Sequence, residues 1–194
     1  PLYSSAASDV YKRQTVEDYS CFAGGIEIAT DISLRVDDVL KGDMEAGEHI
    51  TVRKPGGAVT VEEYLQSMED AGITYWNAEE LKAEYSEEER RENYIQISFC
   101  DLDPVIGQKS LYFLEKDAEK ELYYRLCDGF GQYVETASGE YVNAYEIADE
   151  KRNADEPMML ALGETVEFDP DAAPGERINI YTMDEIKEGM ETHT

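Results

Sequence analysis

Fourteen tyrosines, three cysteines, two histidines and forty-four carboxylates are the side chains of this 194-residue chain that could do chemistry. Tyr112, Tyr123, Tyr124, Tyr133 and Tyr141 fall on adjacent predicted strands, and rings on one face of a sheet can stack on a sugar or peptide ligand. Tyr112, Tyr124 and Tyr133 are the candidate ligand-binding residues. Ordinary cross-strand packing, with hydroxyls reaching water, is the plainer reading of the same pattern. His49 enters a strand and His193 lies in the tail, so a histidine-based triad has nothing to build on; His49 reads as a surface strand residue. HExxH, GxSxG, P-loop and GxGxxG patterns are absent from the sequence. No residue is singled out as catalytic or metal-binding, and no cofactor is expected.

Cys21, Cys100 and Cys127 form no CxxC, which removes support for zinc-ribbon and thioredoxin-like readings. A Cys100–Cys127 disulfide would suit an oxidising compartment; burial as free thiols is the plainer alternative. Cys127 precedes Asp128-Gly129, a turn that could present a nucleophile, but surrounding acid raises a thiol pKa and works against that role. With 44 carboxylates, chance pairs are expected, so an acid–base pair of hydrolase type has no specific support. Asp101-Leu102-Asp103 and the stretch from Asp169-Pro170-Asp171 to Glu176 could offer oxygens to Ca²⁺. Neither has the sixth-position glycine of an EF-hand loop, and solvated loops are the expectation.

The surface surrounding any site must be strongly acidic. Asp and Glu outnumber Lys and Arg 44 to 17, a net charge of −27. Such a surface repels phosphate backbones, so nucleic acid is excluded as a partner. It also disfavours docking to anionic membranes. The 42% hydrophobic content suffices for one core, and no run is long and apolar enough to span a bilayer.

The elements that position these side chains are read from periodicity. Ile26 to Val39 alternates apolar and polar as a half-buried strand, and His49 to Lys54 forms a second, stopped by Pro55-Gly56-Gly57. From Ala58 to Asn93 the period becomes helical. Thr60-Val61-Glu62-Glu63 is a capping box, and Val61, Tyr64, Leu65 and Met68 share one helical face. A second helix opens near Asn77 with Ala78, Leu81 and Tyr85 on one side, and Ser86 to Glu89 could restart a third. Residues 58–93 read as a helical insertion over the sheet, with Trp76 stapling it down. Strands resume with Ile95, Ile97 and Phe99, then with the buried run Leu111 to Leu114 and with Leu122 to Leu126. A hairpin pairs Gln132–Glu135 with Glu140–Asn143. Met158 to Leu162 is a short helix or strand, and Thr182 to Glu185 caps a final helix carrying Met183, Ile186 and Met190.

Residues 1–14, and SSAASDVYKRQ within them, look like the in-frame translation of a transposase-type sequencing adapter. They are excluded from fold reasoning as non-native, with the expectation that the true start of strand one and of the protein is missing. Residues 15–194 then form a single domain.

VLKGDMEAGEHITVRKPGG, PVIGQKSLYFLEKD and YYRLCDGFGQYVE together resemble the globular domain of uncharacterised surface lipoproteins of Gram-positive bacteria. More distantly they are similar to the netrin-type module, an OB-like five-stranded barrel. The resemblance covers roughly Val16 to Val142. It implies a mainly β fold (α+β by content): an OB-like antiparallel barrel with a helical insertion and a short C-terminal helix. It implies an extracellular, cell-surface location through an N-terminal lipid anchor that this chain lacks. The function implied is a non-catalytic binding or interaction module whose partner is a protein, peptide or glycan. A secreted netrin-type inhibitor is the alternative, although the inhibitors' disulfide framework and N-terminal cysteine are absent. A carboxylate-based hydrolase is a third.

Overall fold

In the computed structural model the described residues are 10–74, 76–97, 102–148 and 178–192. Among them the chain is mainly β, organised on one large sheet. Two long strands begin it: β1 (Val10–Gly24) and β2 (Glu27–Lys41), 15 residues each. They pair antiparallel across a tight turn in which Gly25 has φ +69°, a left-handed conformation that glycine adopts without steric cost. Register shifts at three places along β1 mark bulges that let so long a ribbon bend. β3 (His49–Pro55) pairs with β2, as the alternation of both segments demands. Leu34 faces Ile50 and Ile32 faces Val52, so one face collects apolar residues and the other collects charge.

β6 (Lys109–Lys116), β7 (Tyr123–Arg125), β8 (Gln132–Glu135) and β9 (Tyr141–Asn143) continue the sheet. A 3₁₀ turn, Asp128–Gly131, joins β7 to β8. β7 lies parallel to β3 and antiparallel to β6. β6 in turn pairs antiparallel with β1 through residues 10–15, Gln14 opposite Ser110, so residues 10–14, set aside above as a non-native adapter segment, lie within β1 and its pairing. The pairings therefore run β1–β2–β3–β7–β6 and return to β1. Inside this circuit lies the main core: Val16, Ile32, Leu34, Val36, Val52, Tyr112 and Leu114, each almost fully buried. The expected central strand Leu111–Leu114 is β6, which pairs with β1, β7 and β8. The expected hairpin at residues 132–143 is β8–β9.

Residues 58–93 differ from a purely helical insertion. Gly57–Thr60 is a strand, β4, paired with β5 (Tyr94–Ile97) in a separate two-stranded sheet. The helical period masked it because only four residues separate Gly56 from the helix start. The Thr60 hydroxyl does accept from the Glu63 N–H while the Glu63 carboxylate accepts from the Thr60 N–H, the reciprocal cap read from sequence. It starts α1 (Val61–Asp70), which buries Val61, Tyr64, Leu65 and Met68 against Ile28 and Val59 as a second core. Ser67 and Tyr64 hydroxyls reach the carbonyls of Gly25 and Ile26, so α1 also holds the tip of the β1–β2 ribbon. α2 (Trp76–Glu84) and α3 (Glu89–Glu92) follow at its periphery, with Ala78, Leu81 and Tyr85 partly buried against the same core. The Trp76 side chain lies outside the described residues, as do Phe99, Cys100, Asp101, Met158 to Leu162 and Asp169 to Glu176.

The C-terminal part returns to the sheet. A helical turn, α4 (144–148), follows β9. β10 (Ile180–Tyr181), not visible in the periodicity, adds a two-residue edge strand to β9. α5 (Met183–Thr192) follows, with the expected Thr182–Glu185 cap in place. None of the helices among the described residues is long and apolar enough to cross a membrane.

Candidate functional site

The face of β1, β2, β3 and β7 that turns away from the core carries a row of polar and aromatic side chains in register. Directly opposed residues on neighbouring strands project to the same side. Ser20 opposes Asp31, Asp31 opposes Arg53, Arg53 opposes Tyr124, and Tyr124 opposes Glu115. One row of side chains thus crosses five strands. At its centre Arg53 donates from Nε to Asp31 Oδ1 at 2.6 Å and from its terminal nitrogen to Oδ2 at 2.7 Å. Such a two-point bond is the strongest geometry open to this pair. The guanidinium also lies over the Phe22 ring, 4.6 Å from its centroid.

Asp31 and Arg53 are about a quarter exposed, and Phe22 and Tyr124 are half-buried, so the row is reachable from solvent. The hydrogen bond that Arg53 donates to the Asp31 carboxylate holds the guanidinium above its ordinary pKa; burial works against this, and the charge of Asp31 and the nearby Tyr124 add to it. The result is a charge-compensated guanidinium held by Asp31 over the Phe22 ring, with Tyr124 as its cross-strand neighbour. Chemically it offers donors, acceptors and apolar edges to a neutral polar ligand.

Behind the row the backbone is pinned. The Thr30 hydroxyl donates to the Gly56 carbonyl at 2.7 Å and lies 3.3 Å from Cys21 Sγ. Gly57, at φ +135°, comes so close that an added Cβ would collide with Thr30 Oγ1 and sit 2.8 Å from Cys21 Sγ. Further along the same face a second cluster forms. Thr15 donates to Asp37 at 2.5 Å, Arg35 donates to the same carboxylate at 2.9 Å, and Glu17 bridges towards Arg35 and His49. His49 is thus an exposed strand residue beside a carboxylate, 3.3 Å from Glu17.

The three candidate tyrosines do not share a face. Tyr112 is 1% exposed on the core side of β6, its hydroxyl accepting from Gln132 Nε2 at 3.1 Å in a buried polar group that includes Ser110 and Arg125. Tyr124 belongs to the Arg53 row. Tyr133 is on the outward side of β8, in contact with Phe113 and Tyr181, and its hydroxyl is pushed up by burial. The period of two settles this: Tyr112 and Leu111 point oppositely, and Tyr133 is in register with Leu111.

Sequence reasoning missed Asp31, Arg53 and Phe22. Their signal is a register one: with Leu34 opposite Ile50, an acid at 31 and an arginine at 53 must face each other. Cys127 also departs from expectation. It is an exposed free thiol in a left-handed conformation, φ 53°, rather than a buried one; Cys21 is a half-buried free thiol. Asp103, in one of the acidic loops, lies 3.5 Å from the buried Lys54 ammonium, and no group of His, Cys, Asp and Glu among the described residues could hold a metal ion.

A groove of about 460 Å³ opens at the start of β6, lined by Val105, Ile106, Gln108, Lys109, Glu135 and Thr136. It is separate from the Arg53 row. No family model, curated protein or solved structure matches this chain.

Proposed function

We propose that the circuit β1–β2–β3–β7–β6 is an OB-like barrel, and that the protein is a non-catalytic binding module which takes its ligand on the outer face of β1, β2, β3 and β7. The observation that carries the barrel reading is the pairing itself. Every contact in the circuit is antiparallel except β3 with β7, and α1 lies between β3 and β6 in the chain, after the short β4. OB-like barrels commonly bind on the face of their second and third strands, which here is where Asp31 and Arg53 meet. The ligand class that suits a charge-compensated guanidinium over the Phe22 ring and next to Tyr124 is a glycan or an extended peptide. A net charge of −27 speaks against polyanions. A place on a bacterial cell surface, through a lipid anchor, rests on the lipoprotein-like motifs alone.

The test is a screen of the whole chain on immobilised oligosaccharides and peptides, repeated with Tyr124→Ala and Arg53→Ala. Binding that falls at least tenfold in both variants, with unchanged unfolding midpoint in Tyr124→Ala, supports the reading. Binding indifferent to both, or turnover of glycoside or ester substrates, contradicts it.

A further inference from the structure

The ligand face ends at an open sheet edge. β1 is flanked on both sides only over its first half, where residues 10–15 pair with β6 and Val16 exchanges main-chain hydrogen bonds with Gln108 and Gly107. From Asp18 to Gly24 it pairs with β2, and among the described residues no strand pairs with its other side. The direction of the main-chain groups follows from the register. The Ile28 carbonyl accepts from the Gly56 N–H, towards β3, so Ala23, which opposes Ile28, is not bonded to β2. Bonded and non-bonded pairs alternate along an antiparallel ribbon. Tyr19, Cys21 and Ala23 therefore all turn their N–H and C=O away from β2. The bond of the Tyr19 N–H to Asp18 Oδ1, at 2.9 Å, agrees with this.

Exposed edges are normally blunted by charge, by proline or by a bulge. Here those devices stop at Asp18. A bulge falls between Val16 and Asp18, and the Asp18 carboxylate occupies the Tyr19 N–H. Beyond it, Tyr19-Ser20-Cys21-Phe22-Ala23 holds no charge and no proline, and its two aromatic residues favour extended backbone. The Tyr19 C=O and both main-chain groups of Cys21 and Ala23 face outward. Between them, Ser20 and Phe22 stand on the outer face. Ser20 ends the row that runs through Asp31, Arg53 and Tyr124, so a strand laid along this edge would add its own side chain to that row. Charge selects the occupant. The chain carries −27, and Glu17 and Asp18 are both exposed at the head of the edge. A second copy meeting edge to edge would bring like charges together, whereas a segment with a lysine or arginine beside Asp18 would be attracted.

We propose that the edge of β1 from Tyr19 to Ala23 takes an extended peptide carrying a basic residue, which adds to the sheet as a further strand and lays alternate side chains beside Ser20 and Phe22. Main-chain hydrogen bonds supply affinity in this mode, and the alternate side chains supply selectivity. The proposal rests on the reading of the outer face given above and narrows its ligand to a peptide held through its main chain.

The probe is a library of soluble hexapeptides, each with one Lys or Arg, screened against the whole chain and against Cys21→Pro and Ala23→Pro. Proline removes an outward N–H and leaves the β1–β2 bonds in place, so both variants should keep an unfolding midpoint close to that of wild type. The strongest binder of wild type should bind each variant at least tenfold more weakly. Remade with a single N-methyl group at each position in turn, it should lose binding at least tenfold at alternate residues and little at those between, because only every second amide of an added strand faces β1. The proposal is overturned if no hexapeptide binds, if binding survives in a folded proline variant, or if N-methylation acts alike at every position. Failure of both variants to fold would also overturn it, by showing that the chain itself uses those N–H groups. So would a wild-type dimer that dissociates in Ala23→Pro, which would assign the edge to a second copy. The two readings fail separately. Oligosaccharide binding lost in Arg53→Ala, with no peptide bound, would keep the ligand face and refute the edge. Peptide binding lost in Ala23→Pro but intact in Arg53→Ala and Tyr124→Ala would keep the edge and refute the face.

Discussion

Gln14 is fully buried between Val36 of β2 and Ser110 of β6, and both heteroatoms of its amide lack a hydrogen-bond partner. An unpaired buried amide costs about 1–3 kcal/mol, and an apolar side chain of similar volume removes that cost. Gln14→Leu should therefore raise stability by about 1–2 kcal/mol, read as a higher urea midpoint at unchanged slope; a lower midpoint would show that the amide is satisfied. The opposite sign is expected at Gly57. An added methyl group there meets Thr30 and Cys21 in a backbone conformation that side chains rarely adopt. Gly57→Ala should destabilise by about 2 kcal/mol or more.

Asp37 gives a residue-scale pH dependence. Burial pushes its carboxyl up, but hydrogen bonds from Thr15 and Arg35, with the charge of Arg35, outweigh this and hold it below its ordinary value of 3.8. A depressed folded pKa stabilises above the unfolded value and is lost as pH falls through the folded one. The stability difference between wild type and Asp37→Asn, greatest near neutrality, should shrink as pH drops below about 3.8. None of these positions was legible in the sequence. Each depends on which residues the register brings together, and periodicity assigns a residue to a face without saying what it meets there.

At the scale of elements, the two capping boxes and the apolar stripes of α1 and α5 were legible, because local spacing alone determines them. The weight of α1 was not. As part of a helical insertion it looks dispensable, yet its four apolar residues close a core with Ile28 and Val59 and its hydroxyls hold the ribbon tip. Met68→Ala should cost about 2–4 kcal/mol, whereas Leu81→Ala on the outlying α2 should cost less than about 1 kcal/mol. Equal costs would show that the partly buried Leu81 contributes as much to that core as Met68. Strands β4 and β10 escaped because four and two residues are too few for a period to register.

Tyr133, Tyr141 and Tyr181 cluster beneath and beside α5, and burial pushes each above the usual tyrosine value of 10.0. The unfolded chain then loses phenolic protons first. Their stabilisation is complete below pH 10 and is lost as pH rises through the folded values. Tyrosinate absorbance should therefore show ionisation delayed beyond free tyrosine, with stability falling over the same range.

For the whole molecule, 44 acidic residues against 17 basic ones make charge repulsion a global term. The urea midpoint should rise with added NaCl between 10 mM and 150 mM as the Debye length shortens from about 30 to 8 Å. A flat salt response would mean that the ion pairs along β2 and β3 offset the excess. The mainly β character was readable in the alternation of β2, β3 and β8; the return of the sheet from β6 to β1 was not, since main-chain pairing leaves no mark on side-chain pattern. The pairings β2–β3–β7 place Asp31, Arg53 and Tyr124 in one row, and that row is the basis of the binding face we propose.

The most direct measurement is NMR titration of the whole chain with the strongest oligosaccharide or peptide from the binding screen, following the backbone amides and the Arg53 Nε–H. The account predicts saturable shifts centred on Phe22, Asp31, Arg53 and Tyr124. Shifts centred instead on Ile106, Gln108 and Thr136, in the groove at the start of β6, would contradict it.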